Sequence, residues 1–231
     1  EVAASHKMRL LGPNCLGLMV PGIGLNASFS HQSIGSGKIA FVSQSGALCT
    51  AVLDWAAARG IGFSHFISLG ECDVIDYLGS DPNTRAIMLY IESIQERRGF
   101  ISAARAASRN KPILCIKSGR FAEGAAAAAS HTGALAGADD VFDAAIKRAG
   151  VLRVYTVSEM FSAAETLSRM RPFRGDKLGI ITNGGGIGVL AVDALIERQG
   201  HLAKLEDSTI EALNGVLPST WSHANPIDII G

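Results

Sequence analysis

The stretch Gly37-Lys38-Ile39-Ala40-Phe41-Val42-Ser43-Gln44-Ser45-Gly46 decides the fold of this chain. After a lysine it has a run of apolar residues, and then a short polar turn that ends in glycine. A helical pattern begins at Gly46 and continues to Arg59. Strands that are apolar throughout, instead of alternating with polar residues, are typical of parallel sheets that are buried on both faces. The stretch therefore predicts a buried strand, a tight turn and a helix in succession.

Short apolar runs and helical patterns alternate along the rest of the chain. The predicted strands are Lys38–Ser43, Gly62–Leu69, Arg85–Ile91, Pro112–Lys117, Val151–Tyr155 and Lys177–Thr182. The predicted helices are Gly46–Arg59, Val74–Ser80, Gly99–Ser108, Ala138–Ala149, Val157–Met170 and Gly188–Gln199. Alternation of this kind indicates βαβ units. We therefore predict an α/β fold with a parallel sheet and helices on both sides.

The segment Arg171–Asp176 is the best candidate for a linker between two domains. The following residues, Asp176–Gly185, resemble Gly37–Gly46, because each stretch has a basic residue, a buried strand and a small polar turn that opens a helix. This internal similarity predicts two domains of the same type. The chain also begins within a helical pattern and ends in the strand-like Asn225–Gly231, so we interpret it as part of a longer protein.

Composition excludes several classes of protein. The 231 residues are 48% hydrophobic, and 21 basic side chains balance 21 acidic ones. This balance, without a dense Lys/Arg cluster, argues against nucleic-acid and membrane partners, and no apolar run is long enough for a transmembrane helix. The cysteines, Cys15, Cys49, Cys72 and Cys115, form no C-x-x-C pattern, and Cys49 and Cys115 lie in apolar stretches typical of buried free thiols. These features favour a cytoplasmic protein, and no secretory segment is recognised.

Two glycine turns, Ser43–Gly46 and Asn183–Gly186, each join a strand to the start of a helix. Such a turn directs unpaired backbone N–H groups and the positive end of the helix dipole at one point, which suits a phosphate. The alternative is a tight turn that binds nothing. The second turn has a further alternative, because Gly186–Ala191 fits the dinucleotide-binding pattern G-x-G-x-x-A and Glu206 follows at a suitable distance. A serine-hydrolase turn fits the first one poorly, since Ser43 occupies the position of a required glycine.

The segment Ser130–Gly137 carries His131 on a loop of small residues, directly after the tract Gly124–Ala129. A partner can approach such a loop closely, which suits a histidine that does chemistry; the alternative is an ordinary histidine at a helix start. Glu92 ends an apolar strand, and open α/β sheets bind ligands at that edge. There it either holds the Nδ1–H of a histidine and leaves Nε2 as a nucleophile, or it is a solvated strand-end carboxylate.

Two basic residues, Lys117 and Arg120, precede the small-residue tract and either anchor the loop, meet a phosphate or are solvated. Taken together, two phosphate-binding turns, a histidine on a loop and a carboxylate to orient it suit a transient phosphohistidine. Such an intermediate needs no metal of its own, because helix N-termini neutralise the phosphoryl charge.

A set of short motifs carries a resemblance to a known family. The matching stretches are Gly12–Gly17, Phe41–Gly46, Tyr90–Ser93, Lys117–Arg120, Ala128–Gly137, Thr182–Gly186 and Asn225–Asp228. In this order, over nearly the whole chain, they resemble the α-part of NDP-forming (ADP-forming) acetyl-CoA and acyl-CoA synthetases. The segment Gly37–Leu167 also resembles the ligase domain of the succinyl-CoA synthetase α-subunit. The order of the motifs favours this family over the dinucleotide-binding alternative.

The resemblance implies a flavodoxin-like, succinyl-CoA synthetase-like ligase domain over residues 36–172. The exit segment of a mostly missing CoA-binding domain would precede it at 1–35, and a truncated second ligase subdomain of the same type would follow at 176–231. The implied reaction converts acyl-CoA, phosphate and ADP reversibly into an organic acid, CoA and ATP, through an acyl phosphate and a phosphohistidine. His131 would be phosphorylated and Glu92 would orient it.

The resemblance also implies the ligands of these residues. The implied phosphate-binding residues, expected to converge on one pocket, are Ser45, Gly46, Gly184, Gly185 and Gly186. Asn14 would lie near the CoA site, and no metal site is implied in this chain. ATP or ADP, with Mg²⁺, would bind to an ATP-grasp domain or β-subunit outside this sequence, in an oligomeric enzyme. The acyl group stays undetermined.

A second class of protein has similar domains. Some bacterial protein lysine acetyltransferases carry a synthetase-like region that senses acyl-CoA and is often catalytically inactive. The presence of both His131 and Glu92 favours the enzyme over this regulatory region.

Overall fold

The structure is a computed structural model, and it describes residues 2–8, 11–12, 14–68, 72–94, 96–124, 126, 138–169 and 175–230. The chain forms two compact units, Glu1–Arg171 and Pro172–Gly231. No helix among the described residues is long and apolar enough to cross a membrane.

The first unit contains one seven-stranded sheet with helices on both faces. Its strands are β1 Gly17–Val20, β2 Leu25–Ser28, β3 Ser36–Ser43, β4 Phe63–Ile67, β5 Ala86–Ile91, β6 Ile113–Lys117 and β7 Leu152–Arg153. Its helices are α1 Val2–Ser5, α2 Gly46–Arg59, α3 Cys72–Ser80, α4 Arg97–Ser108, α5 Asp139–Arg148 and α6 Val157–Arg169. These bounds confirm the predicted alternation of strands and helices to within a few residues.

Strand order shows how the sheet is wound. The order across the sheet is β2-β1-β4-β3-β5-β6-β7, and the five strands from β4 to β7 in this order are parallel to one another. When these parallel strands are counted along the chain from β3, their order is 2-1-3-4-5, which is the flavodoxin-like winding. The predicted α/β class and parallel sheet are therefore confirmed.

The central strands are buried on both faces, as their apolar sequences predict. On β3, Ala40 and Val42 belong to a core cluster with α3, α4 and α5, while Ile39 and Phe41 pack in a second cluster with α2 and α6. Successive residues of a strand point to opposite faces, so an apolar run fills both cores. The two predicted buried thiols are also confirmed, and burial raises the pKa of Cys49 to about 11 and that of Cys115 to about 12.

One edge of the sheet departs from the parallel prediction. β1 and β2 form an antiparallel hairpin around a 3-10 turn at Pro21–Ile23, and β1 pairs antiparallel with β4. The sequence patterns predict no strand there. Leu16 and Met19 are buried in the core of the unit, so the hairpin is an integral part of this sheet.

Among the residues described in the second unit there are short strands and two helices. Its elements are β8 Lys177–Leu178, β9 Ile181–Thr182, α7 Gly185–Glu197, β10 His201–Leu202, α8 Asp207–Asn214 and β11 Ile227–Asp228. β8 pairs in parallel with β10, and β9 pairs in parallel with β11. The side chain of Asn225 joins these pairs, because it accepts a hydrogen bond from the Ile180 N–H at 3.0 Å and donates to the carbonyls of Leu178 and Ala203 at 2.9 and 2.8 Å.

The structure corrects two predicted boundaries in this unit. The single strand predicted over Lys177–Thr182 is present as the two short strands β8 and β9. The helix predicted to begin at Gly188 begins at Gly185 instead. Glycine has a low helix propensity, so a run of glycines at a helix start hides the first turn from a pattern of apolar residues.

Candidate functional site

The strand order of the first unit creates a switch point between β3 and β5. The chain leaves β3 towards β4 on one side, whereas the later strands β5, β6 and β7 follow on the other side. In open α/β sheets, the crevice outside the carboxyl ends of the strands at such a point is the usual ligand site. The residues that follow these two strands are Gln44–Gly46 and Glu92-Ser93, so the predicted turn and the predicted carboxylate lie at the switch point.

The first glycine turn is closed by a serine hydroxyl. Ser43 Oγ accepts a hydrogen bond from the Ser45 N–H and donates one to the Ser45 carbonyl, both at 3.0 Å. Ser45 is the N-cap of α2, and its own Oγ accepts from the Leu48 N–H at 3.3 Å. A Cβ atom added at Gly46 would meet nothing within 4 Å, so the first turn of α2 is open to a close approach. This geometry fits an anion at the helix N-terminus.

The second glycine turn, in the second unit, repeats this local geometry. Thr182 Oγ1 accepts from the Gly184 N–H and donates to the Gly184 carbonyl, both at 3.0 Å. Gly184 is the N-cap of α7, and Gly186 in its first turn has open space where a Cβ would stand. The predicted sequence similarity of the two turns is thus a similarity of structure. Convergence of the two turns on one pocket stays a prediction.

The Gln44 side chain connects the first glycine turn to the end of β5. Its Oε1 accepts hydrogen bonds from the backbone N–H groups of Glu92 at 2.6 Å and Ser93 at 3.0 Å. Its Nε2 donates to the Ser93 carbonyl at 2.8 Å, and its backbone N–H donates to the Tyr90 carbonyl at 3.2 Å. Gln44 therefore fixes the backbone of Glu92 relative to the start of α2.

Glu92 lines a cavity of about 340 Å³ on the side of the sheet covered by α4 and α5. The lining residues are Glu92, Ser93, Ile94, Arg97, Ile101, Lys117, Ala138, Val141, Phe142 and Ala145. Two of them flank the segment that carries His131 in the sequence. Lys117 lies 13 residues before Ser130, where this segment begins, and Ala138 lies directly after Gly137, so the chain passes the edge where Glu92 lies before and after the segment.

The chain that leads into this segment is held by hydrogen bonds to backbone carbonyls. The Ser118 N–H donates to the carbonyl of Ile91, the residue before Glu92, at 3.1 Å. Lys117 is 5% exposed, and its Nζ donates to the carbonyls of Ser118 at 2.9 Å and Gly119 at 3.4 Å. Burial lowers the pKa of Lys117, against the opposing effect of the Asp139 carboxylate.

The comparisons with known proteins agree with this architecture. Residues 36–167 match the family model described as the succinyl-CoA ligase-like flavodoxin domain. The chain belongs to this family. The matched range begins at the first residue of β3 and ends within α6, so it contains all five parallel strands and the switch point.

Relatives in this family match over the whole chain. The chain is 42% identical to an ADP-forming acetate–CoA ligase of Methanocaldococcus jannaschii, over 100% of this chain and 34% of that protein. It is 44% identical to the α-subunit of ADP-forming acetate–CoA ligase I of Pyrococcus furiosus, over 100% of this chain and 51% of that subunit. The chain therefore spans between a third and a half of the length of these relatives.

A solved structure is similar at the level of the fold. It is the dinucleotide-forming acetyl-coenzyme A synthetase 1 of Ca. Korarchaeum cryptofilum, in complex with phosphate and ADP. The TM-score is 0.92 at 40% identity, with 99% of this chain and 51% of that chain covered.

The structure describes most of the predicted site residues of this ligase-like chain, with one important exception. His131 lies outside the described residues, so its contact with Glu92 stays a prediction. Asn14, predicted near the CoA site, is exposed and has a left-handed backbone with φ of 59°. Arg120 is half-buried, with its Nε 3.8 Å from Asp139 Oδ2.

Sequence reasoning missed the role of Gln44 and the ion pairs that Asp139 makes with Arg120 and Arg153. Gln44 stands in a quoted motif, but only its place at the switch point reveals that it fixes Glu92. Asp139 and Arg153 belong to ordinary predicted elements and carry no motif. Within the described part of the chain, no group of three or more His, Cys, Asp or Glu residues is arranged to hold a metal ion.

Proposed function

We propose that this chain is part of an acyl-CoA ligase of the ADP-forming type. The enzyme converts acyl-CoA, phosphate and ADP reversibly into an organic acid, CoA and ATP. The observation that carries the proposal is the Gln44 bridge, which holds Glu92 beside the open N-terminus of α2 at the switch point. The names of the relatives, ADP-forming acetate–CoA ligases, support the same reaction type.

In the proposed mechanism, His131 carries the phosphoryl group between two half-reactions. Phosphate first displaces CoA from the acyl group and gives an acyl phosphate. Nε2 of His131 then attacks phosphorus, the P–O bond to the acyl oxygen breaks, and the organic acid leaves as its carboxylate. A terminal oxygen of ADP finally attacks the phosphohistidine, the N–P bond breaks, and ATP forms.

Glu92 and the two glycine turns have distinct tasks in these steps. The Glu92 carboxylate accepts the Nδ1–H of His131, which fixes the tautomer and stabilises the imidazolium that develops during the attack. The first turns of α2 and α7 are each suited to hold phosphoryl oxygens through backbone N–H groups and a helix dipole. This use of the second turn replaces the dinucleotide-binding alternative at Gly186–Ala191.

The remaining components of the proposal concern CoA, the nucleotide and the assembly of the enzyme. CoA binds near Asn14, and an ATP-grasp domain or β-subunit supplies the nucleotide site together with Mg²⁺, which neutralises phosphate charge there. We expect an oligomeric, cytoplasmic enzyme with no nucleic-acid or membrane partner.

The test is phosphorylation of the full-length protein by ATP labelled at the γ-phosphate. We expect an acid-labile, base-stable phosphoryl group on His131, and we expect His131→Ala to abolish both the label and turnover. Glu92→Gln should lower the phosphorylation rate roughly 10²- to 10³-fold while the protein stays folded, because a neutral amide stabilises an imidazolium poorly. The control His31→Ala, at an exposed histidine, should leave the label unchanged.

One result would overturn the proposal. If His131→Ala retains acyl-CoA-dependent ATP formation near the wild-type rate, no phosphohistidine lies on the pathway. An absence of turnover in the wild-type protein, together with acyl-CoA binding, would favour the regulatory acyl-CoA-sensing region instead.

A further inference from the structure

We propose that Arg120, Asp139 and Arg153 form an ionic clamp that joins the two ends of residues 121–138, called here the His131 segment, and positions His131 for phosphoryl transfer. The proposal rests on the proposed function for the role of His131, but the clamp itself consists only of described residues. Arg120 precedes the segment, Asp139 follows it, and Arg153 lies on β7 at the sheet edge. These are positioning residues, because they act through the chain that carries the histidine.

A single carboxylate connects the two guanidinium groups of the clamp. Asp139 Oδ1 lies 2.5 Å from Arg153 Nη2, within hydrogen-bond distance, and Asp139 Oδ2 lies 3.8 Å from Arg120 Nε. The second distance is too long for a hydrogen bond but is within range of an ion pair. Residues 121–138 lie between Arg120 and Asp139 in the sequence, so this contact joins the two sides of the stretch that contains His131.

One member of the clamp, Arg153, is buried. The Arg153 side chain is 3% exposed, and its second partner is Asp143, with Nη1 3.2 Å from Asp143 Oδ1. A buried guanidinium is strongly destabilising without a carboxylate partner, so Asp139 is held firmly in place. The Tyr155 ring contacts both cations, with the Arg120 Cζ 4.4 Å and the Arg153 Cζ 5.0 Å from its centroid. These cation–π contacts favour one arrangement of the two arginines.

The clamp fixes the point from which the histidine segment starts and the point at which it ends. A fully extended chain over residues 121–138 could span roughly 60 Å, at about 3.3 to 3.6 Å per residue. Holding its ends together costs loop-closure entropy, which the clamp offsets before any substrate binds. Since Lys117 and Ala138 line the cavity beside Glu92, the chain before the segment and the end of the segment both pass close to the carboxylate that His131 has to meet. A displacement of about 1 Å in such a site can lower the rate about 10²-fold.

Two aspartates that both pair with Arg153 allow the effect of the clamp on His131 to be distinguished from its effect on stability. Asp139 and Asp143 both pair with Arg153, but only Asp139 also contacts Arg120. Asp143 instead pairs with Lys147 at 2.8 Å within α5. Asp139→Asn therefore opens the clamp, whereas Asp143→Asn weakens the same buried arginine and leaves the contact between the two segment ends in place.

The first measurement is the phosphorylation rate of His131 in the full-length enzyme with labelled ATP. We expect Asp139→Asn to lower the rate constant at least tenfold with little change in the KM for ATP. Asp143→Asn should change the rate constant less than threefold, at a comparable loss of thermal stability. Arg120→Lys, which keeps the charge, should retain more activity than Arg120→Gln. Equal losses in the two aspartate variants, or no loss in Asp139→Asn, would overturn the clamp.

The second measurement does not depend on phosphorylation. Backbone hydrogen exchange should become faster on both sides of the segment, in residues 118–124 and 139–143, when Asp139 is replaced by Asn. Asp143→Asn should affect only the second range. If exchange changes as expected but the wild-type enzyme forms no phosphohistidine, the proposed function fails and the clamp stands. If exchange in residues 118–124 is unchanged in Asp139→Asn, the clamp fails.

Discussion

The Oε1 atom of Gln44 accepts a hydrogen bond from the backbone N–H of Glu92 at 2.6 Å, across the switch point of the sheet. The two residues follow adjacent parallel strands, β3 and β5, which pair from Ile39 with Ala86 to Ser43 with Tyr90. The turn that begins α2 and the backbone of Glu92, whose carboxylate we assign to His131, are therefore parts of one hydrogen-bonded unit. A substitution at Gln44 should therefore change the position of Glu92, although the two side chains have different tasks.

Replacement of Gln44 by Leu is the direct test of this connection. The variant leaves the N–H groups of Glu92 and Ser93 without their acceptor, and a loss of this kind in a half-buried position costs about 1–3 kcal/mol of folding free energy. We also expect slower phosphorylation of His131 by at least tenfold, because the Glu92 backbone is no longer fixed. Thermal unfolding and labelling of the full-length protein measure the two effects.

Gln32→Leu is the matched control for this prediction. Gln32 also makes a side-chain hydrogen bond, from its Nε2 to Asp54 Oδ1 at 2.7 Å, but this contact is exposed. It should cost well under 1 kcal/mol and leave phosphorylation unchanged. Wild-type labelling in Gln44→Leu would show that Glu92 does not need the bridge.

Much of the fold could be predicted from the sequence because the parallel strands are apolar on both faces. Runs such as Ile39–Val42 and Ile87–Ile91 indicate strands that are buried between two helical layers. The hairpin β1–β2 was missed for the opposite reason. Its second strand, Leu25–Ser28, is largely exposed at the sheet edge and contains no apolar run that would predict a strand.

The candidate site was predictable only as separate pieces. Glu92 and the first glycine turn could be placed at strand ends, since each follows an apolar run. Strand order, which brings them together, depends on pairing between residues far apart in the sequence. The same limit applies to Asp139 and Arg153, because an aspartate at a helix start usually needs no partner beyond the helix dipole.

A buried histidine predicts how stability depends on pH. His65 on β4 is 6% exposed, with Nδ1 3.7 Å from Asp81 Oδ2 and Nε2 3.4 Å from the Tyr77 hydroxyl. Burial lowers the pKa of His65 below its usual value of about 6.5, although Asp81 acts in the opposite direction; Lys111, which donates to the Asp81 carbonyl, lowers it further. The folded state therefore binds this proton less readily than the unfolded state does.

The sign of the effect follows from proton linkage. Below about pH 6.5 the unfolded chain takes up a proton at His65 that the folded chain resists, so the stability falls as the pH decreases. Burial alone would raise the pKa of Asp81, but hydrogen bonds from Thr84 and Asn83, together with the charges of His65 and Lys111, hold that pKa below its usual value. The loss due to Asp81 therefore comes only at lower pH, below about 4.

Denaturant unfolding between pH 4 and 8 measures this dependence. We expect the free energy of unfolding to be nearly constant above pH 7 and to decrease as the pH falls below about 6.5. His65→Gln should flatten this decrease, whereas His31→Gln, at an exposed histidine, should leave it unchanged. An unaltered decrease in His65→Gln would assign the effect to another group.

Substitutions at two glycines distinguish a glycine that the fold requires from one that the proposed phosphate site requires. At Gly37 on β3, an added Cβ would lie 2.0 Å from the Gly62 carbonyl oxygen, which is backbone and cannot move aside easily. Gly37→Ala should therefore cost at least about 1–3 kcal/mol of folding free energy. At Gly46 an added Cβ meets nothing within 4 Å, and alanine is a better helix former than glycine, so Gly46→Ala should unfold at the wild-type temperature or slightly above.

The effects of these two substitutions on phosphorylation should have the opposite order to their effects on stability. A methyl group at Gly46 would stand over the first turn of α2, where we expect the phosphoryl oxygens to approach the backbone N–H groups. Gly46→Ala in the full-length enzyme should therefore lower the rate of His131 phosphorylation at least tenfold, despite its unchanged stability. Thermal unfolding and labelling with ATP, run side by side on both variants, give the comparison. Phosphorylation of Gly46→Ala at the wild-type rate would show that no phosphoryl group approaches this turn, and the phosphate site would have to lie elsewhere.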